Sequence, residues 1–253
     1  NMHRFPDLPM QNKLISIGNA AQLLGVSIDT LRRWDAAGRL QSIRSGSRGH
    51  RYYRQSDVEQ YLQDIQAKAR QWAQTPHANE PIPDMYCQTR DVFQARLEQF
   101  QSKLSRIALL PAVSLITAVA GEIGNNSFDH NLGNWPDIAG IFFSYALRSK
   151  NVVLADRGQG ILATLKRVRP ELTKADEALR VAFTETISGR FPETRGNGLK
   201  FVRSIIIGNP FTLYFQTGDA YIYLKQHDKD ITVRPAKTSI RGCFVTIGFE
   251  DVL

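Results

Sequence analysis

Apolar positions along the chain change period several times, and each change predicts an element. From Ile17 to Leu24 (IGNAAQLL) they recur at helical spacing and stop at Gly25, a residue suited to ending a helix. Ser27 can cap a second helix (IDTLRRWDAAGRL) with an apolar face of Ile28, Leu31 and Trp34. The stretch from Ser42 to Arg54 (SIRSGSRGHRYYR) mixes glycine, arginine and aromatic residues, which predicts a β-hairpin. Ser56-Asp57 then cap a third helix, VEQYLQDIQAKAR. Residues 71–87 hold Pro76, Pro81 and Pro83 among few apolar positions, the composition of a linker.

Beyond the linker the pattern resumes. Gln88 to Ile107 reads as a polar helix whose apolar positions are Val92, Phe93, Leu97, Phe100, Leu104 and Ile107. It can pack on the domain that follows or pair with a second copy. A helix-capable apolar run from Ser105 (SRIALLPAVSLITAVAGEI) ends in Gly124-Asn125-Asn126-Ser127-Phe128-Asp129-His130-Asn131. Two β-rich runs, Ile138–Leu147 and Val152–Ala155, flank the turn Arg148–Asn151. Helical runs follow at Ile161–Val168 and Ala175–Phe183, and then Thr184–Arg195 is polar, interrupted and of a length that suits a lid. Gly196-Asn197-Gly198 feeds an amphipathic helix through Ile206, and three strand-like runs close the chain at Phe211–Gln216, Tyr221–Lys225 and Cys243–Phe249. Pro210, Gly218-Asp219 and Gly242 between them predict an antiparallel meander.

Composition narrows the class. With 42% hydrophobic and 22% charged residues the chain is globular rather than disordered. No apolar run reaches the ~20 residues that span a bilayer, and no signal-like segment opens the chain, so a cytoplasmic location is expected. Cys87 and Cys243 have neither the spacing nor the histidine partners of a disulfide framework or a zinc site. Of the net charge of +8, residues 1–70 supply a surplus of five, eleven Lys/Arg against six Asp/Glu. Five arginines and no acid lie between Asp35 and Asp57. Such a basic module points to an anionic partner, nucleic acid first.

The string ISIGNAAQLLGVSIDTLRRWDAAGRL followed by GHRYYRQSDVEQYL resembles the MerR/excisionase-type winged helix-turn-helix over about the first seventy residues. The resemblance implies that Thr30, Arg32 and Arg33 face the major groove or its flanking phosphates. It also assigns Arg44, Arg48, His50, Arg51 and Tyr53 to a wing laid along the duplex. Regulators of this kind bind double-stranded DNA as dimers, so a homodimer is expected.

In the second half the chemistry clusters. Glu122, Asn126 and His130 are four residues apart and share one helix face, giving a carboxylate to activate water and an amide oxygen for Mg²⁺. Asp156 ends a strand and is followed by Gly158 and Gly160, which let backbone approach a flat ring. Free N–H groups at the glycine pair Gly196 and Gly198, flanked by Arg195 and Lys200, suit phosphate oxygens. The order of these elements over residues 105–250 resembles the GHKL, or Bergerat-fold, ATPase module of gyrase, MutL, sensor histidine kinases and anti-sigma-factor kinases. By that resemblance Glu122 is the general base and Asn126 binds Mg²⁺. Asp129 and His130 stand beside the phosphates, Asp156 reads adenine, and Gly158 and Gly160 lie by the base. Gly196 and Gly198, with Leu199 beside them, lie under the phosphates. The ligand would be Mg-ATP. Cys243 stands where the family has threonine, so the polar contact near adenine is either weakened or supplied by Thr246. No histidine occurs between His77 and His130 to serve as phosphoacceptor, which disfavours a histidine autokinase. With no transducer domain after Leu253, a strand-passage or mismatch-repair machine is disfavoured too.

The fold expected is therefore α+β: a winged helix-turn-helix over 1–70, a linker and connecting helix over 71–104, and an ATP-binding two-layer α/β sandwich with a mixed, mostly antiparallel sheet over 105–253. The function expected is an ATP-binding, ATP-hydrolysing transcriptional regulator whose DNA binding follows its nucleotide state. The alternatives are an anti-sigma-like protein serine kinase acting on a partner protein, and one component of a toxin–antitoxin or phage-defence pair.

Overall fold

The computed structural model describes residues 13–24, 26–44, 49–147, 149–185 and 198–249, with backbone alone for residues 62–64. Of the lid expected over Thr184–Arg195, Thr184 instead ends a helix, and residues 186–195, together with Gly196 and Arg48, lie outside the described residues. The chain is a mixed helix-and-sheet protein and divides into two compact units, one over residues 1–65 with 146–148 and one over residues 66–145 and 149–253.

In the first unit β1 (Leu14–Ser16) leads into α1 (Ile17–Leu24) and α2 (Ile28–Ala36). Ser27 starts α2 as its sequence promised: its hydroxyl accepts from Thr30 N at 3.0 Å, filling one of the donors a helix start leaves open. β2 (Ile43–Arg44) and β3 (Arg51–Arg54) form the hairpin, and β1 pairs with the other edge of β3, giving the antiparallel order β1-β3-β2. The core is Ala20, Leu23, Leu24, Leu31, Trp34, Leu40 and Tyr53, closed by Val58 and Tyr61 of α3 (Gln55–Gln74), with the Trp34 and Tyr61 rings 4.8 Å apart. Residues 71–74, read as the start of a linker, complete α3.

The second unit is built on a five-stranded sheet in the order β4-β5-β6-β8-β7. Its strands are β4 (Tyr86–Cys87), β5 (Ile141–Ala146), β6 (Asn151–Asp156), β7 (Thr212–Lys225) and β8 (Val233–Gly248). β4 pairs antiparallel with β5, β6 with β8, and β7 with β8. Its helices are α4 (Arg90–Leu104), α5 (Leu110–Asn131), α6 (Gly160–Leu165), α7 (Ala175–Thr184) and α8 (Gly198–Gly208). α5 starts later than the apolar run does, because Pro111 can occupy only the first turn of a helix. Phe93, Leu97, Phe100 and Leu104 of α4 are buried within this unit. The Phe93 ring fills the space a side chain at Gly124 would need and stands edge-on to Phe143 of β5 at 5.3 Å. α4 is therefore committed to its own unit.

The closing segment differs from the expected three strands. β7 runs unbroken through Gly218-Asp219, where the register to β8 shifts and Gly218 takes φ +54°. The glycine absorbs a bulge rather than making a turn. The chain reverses instead after Lys225.

Candidate functional site

The N-terminal unit presents a basic surface with an ordered scaffold under it. Arg32 and Arg33 point outward from α2, Arg32 paired to Asp29 at 2.8 Å and Arg33 donating to Thr30 Oγ1 at 3.1 Å. Asp35, at the end of α2, anchors the wing: it accepts from Ser42 N and Ser42 Oγ, both at 2.8 Å, from Arg51 Nε at 2.9 Å and from Arg44 at 3.4 Å. Partial burial opposes its charge, but these donors outweigh it and bring the carboxyl to about 2. Arg44 and Arg51 thus hold the hairpin to the end of α2, and His50 is exposed beside them.

Two expected DNA contacts are corrected. Thr30 is only 8% exposed, its hydroxyl 3.0 Å from Ser27 Oγ, so it braces the start of α2 instead of reading bases. Tyr53 is fully buried, its hydroxyl donating to Leu31 O at 3.4 Å. Strand alternation explains this: with Tyr53 inward on β3, its neighbours Tyr52 and Arg54 must face the other way.

In the second unit, α5 carries Glu122, Asn126, Asp129 and His130, all half-buried. Asn126 Nδ2 donates to Glu122 Oε1 at 3.2 Å. α8 starts at Gly198 directly against this pair. A Cβ built there would collide with Glu122 Oε1 and lie 3.1 Å from Asn126 Nδ2. Leu199 and Lys200 follow, half-buried, on the first turn of α8. Asp129 is ion-paired with Arg90 of α4.

Next to Asn126 on α5, Ser127 Oγ donates to Asp156 Oδ2 at 2.8 Å, and Gly158 N donates to Asp156 Oδ1 at 2.8 Å. Asp156 is 3% exposed. Burial raises its carboxyl to about 6, against the pull of Gly158 N–H, Ser127 and the Cys243 N–H. Those three donors leave about one of the four lone-pair positions of a carboxylate for another partner. The turn admits nothing larger than glycine at two places. A Cβ at Gly158 would strike the Asn131 amide, and one at Gly242, where φ is +61°, would strike Asp156 Oδ1. Gly160 also has φ of the left-handed kind, +76°.

Residues not singled out from the sequence complete the arrangement. Asn131 accepts from Gln159 N at 2.8 Å and donates to Ser127 O at 2.7 Å, tying the glycine turn to α5. Thr217 accepts from Ile161 N at 3.2 Å and donates to Gly242 O at 3.0 Å, pinning the same turn to β7 and β8. Thr246 is a correction. It is paired with Val153 and Tyr214, whereas Val245 pairs with Leu154, so its side chain is on the opposite sheet face from Leu154 and Asp156. Cys243 lies on the Asp156 face, and burial first, then the Asp156 charge, raises its thiol.

A cavity of about 1010 Å³ opens beside Gly158 and Gly160, with Thr217, Gly242, Lys166, Lys174, Arg234 and Arg241 among its walls. It borders the glycine turn but not Glu122, Asn126 or Asp156.

No helix among the described residues is long and apolar enough to cross a membrane. Over 56 residues the chain is 39% identical to the "Type II methyltransferase M.Eco47II" of Escherichia coli. That match covers 22% of this chain and 13% of that protein, so the chain spans about an eighth of its relative's length. Residues 16–53 match the family described as "MerR family regulatory protein", the span that holds α1, α2, β2 and most of β3. Residues 16–53 are thus similar to the helix-turn-helix of MerR-family regulatory proteins.

Proposed function

We propose that this chain is a DNA-binding transcriptional regulator that binds Mg-ATP in its second unit, with residues 105–253 forming a Bergerat-type nucleotide module and 1–70 the DNA-reading head. The observation that carries the reading is the convergence at Gly198: a Cβ on this first residue of α8 would meet the Glu122 carboxylate and lie 3.1 Å from Asn126 Nδ2, so α8 starts close against both side chains. The Asp156–Gly158 turn adjoins the same helix through Ser127 and Asn131. Two motifs far apart in sequence thus border the helix that carries Glu122 and Asn126.

The residues present suit the ligand. Asp156 keeps about one lone-pair position for a donor such as an exocyclic amine. The hydrogen bond to Glu122 uses the Asn126 amide nitrogen, so its oxygen is the end that can face a cation. Magnesium accepts one protein oxygen together with phosphate oxygens and water. Glu122 Oε2 is the proton acceptor for an attacking hydroxyl. When bound, Mg-ATP supplies a transferable γ-phosphoryl group. Backbone N–H groups at the start of α8 bind its phosphate oxygens. A homodimer that spaces two DNA-reading heads completes the reading.

Thermal unfolding with Mg-ATP, with ADP and without nucleotide tests it. A ligand that binds only the folded chain at a hundred times its Kd adds about 2.7 kcal/mol of stability. The midpoint should rise in the parent and much less in Asn126→Ala. An unchanged parent midpoint at millimolar Mg-ATP overturns the proposal.

A further inference from the structure

We infer that Arg157 is a positioning residue that ties the nucleotide turn to the C-terminal end of α3, so that occupancy beside Asp156 sets how that helix end is held. The inference rests on the nucleotide reading above.

Arg157 follows Asp156 directly and is fully buried. Its guanidinium donates to Trp72 O, to Thr75 O at 2.8 Å and to Pro76 O at 3.2 Å, the carbonyls at the end of α3. Its remaining edge is paired with Asp137, whose second partner is Arg241 at 3.0 Å. Helix ends leave carbonyls without partners and carry the negative end of the dipole. Arginine alone offers enough donors in one rigid plane to meet three carbonyls and a carboxylate together.

The same division repeats across the sheet. On β7, Thr217 pins the glycine turn while its neighbour Gln216 accepts from Arg70 of α3 at 2.8 Å. On β8, Cys243 lies on the Asp156 face while Phe244 underlies the Arg70 guanidinium at 4.2 Å. Gln74 donates to Thr238 at 2.6 Å. Strand alternation sends one residue to the Asp156 face and the next to the α3 face, so β7 and β8 grip the end of α3 through the neighbours of Thr217 and Cys243, as Arg157 does from just beyond β6. A buried ion pair is weak evidence for stability, because desolvation offsets most of its attraction. Its placement one peptide bond from Asp156 therefore reads as positioning. α3 is unbroken from Gln55, the residue after β3, to Gln74, so the end that Arg157 holds belongs to the same helix that leaves the hairpin.

Hydrogen exchange of peptides covering residues 70–79 in the full chain, with and without Mg-ATP, tests the inference. The parent should exchange at least about fivefold more slowly there when ATP is bound, the scale of a modest coupling. Arg157→Lys keeps the charge but cannot span the carbonyls. It should bind ATP within about threefold of the parent and lose the slowing. Arg70→Met, which keeps the packing on Phe244 and loses the Gln216 bond, should reduce the slowing and carries the test if Arg157→Lys does not fold. A parent that binds no ATP overturns the nucleotide reading and this inference with it. A parent that binds ATP but shows no slowing, or slowing that survives in the folded variants, overturns the inference alone.

Discussion

Replacing Asp156 by asparagine separates a buried carboxylate kept for ligand recognition from one kept for the fold. Its carboxyl is raised by burial to about 6, against an ordinary value of about 3.9. The folded chain therefore holds this proton more tightly than the unfolded chain does. Stability from this group is fully present below about pH 4 and is lost as pH rises through about 6. At neutral pH the cost is about 3 kcal/mol as an upper bound, about two units at about 1.4 kcal/mol each. Asparagine removes the charge, and its amide can still accept from Gly158 N–H and donate to Ser127. Apo Asp156→Asn should thus be as stable as the parent at about pH 7.5 or more so, by calorimetry or denaturant unfolding. ATP binding should move the other way. An amine donor favours the ionised acid, so affinity relative to the variant should fall about tenfold per pH unit below about 6. Taking the ratio to the variant cancels the protonation of ATP itself. An Asp156→Asn protein several kcal/mol less stable than the parent, with a flat affinity ratio from about pH 7.5 to about pH 5, would refute the reasoning and make Asp156 a purely structural group.

Gly242→Ala forces a side chain into Asp156 Oδ1 and the neighbouring backbone at a left-handed φ, so it should cost about 2 kcal/mol or more in denaturant unfolding. Asp35→Asn is counterintuitive: removing an acid from a basic head should strengthen DNA binding by charge alone, yet losing the anchor for Ser42, Arg44 and Arg51 should weaken it, as read by fluorescence anisotropy on duplex DNA. Arg32→Ala should weaken duplex binding and lower the salt dependence by about one ion, whereas Tyr53→Phe should leave binding unchanged and cost about 1 kcal/mol of stability at most.

Local signals are legible wherever one residue type does one job. Ser27 as a cap, the glycine-bearing hairpin and the helical spacing of Glu122 and Asn126 can all be read directly. Phase is harder. A four-residue strand such as Arg51–Arg54 alternates equally well with either tyrosine inward, and only β1 pairing beside it makes β3 central and Tyr53 a core residue. Thr30 and Thr246 do carry a usable signal. Thr30 is four residues from Trp34 and shares its buried face, while Thr246 is an odd number of residues from Cys243 and so must face the other way. Arg157, Asn131 and Thr217 are hidden for a different reason. Their partners are 20 to 85 residues away in Asp137, the end of α3 and the glycine turn, and nothing local marks a buried arginine. The stretch after Gln74 is hidden in the same way. Pro76, Pro81 and Pro83 signal a linker, but the edge strand Tyr86–Cys87 exists only because Ile141 and Phe142 come to lie beside it.

The central claim is that α5, the Asp156 turn and the start of α8 close on one magnesium nucleotide. Calorimetric titration of Mg-ATP into the full chain, into Asn126→Ala and into Asp156→Asn tests it most directly. The account predicts a saturable isotherm with one ATP per chain in the parent and at least about tenfold weaker binding in each folded variant. Absent heat in the parent, or parent-like binding in both variants, would contradict it.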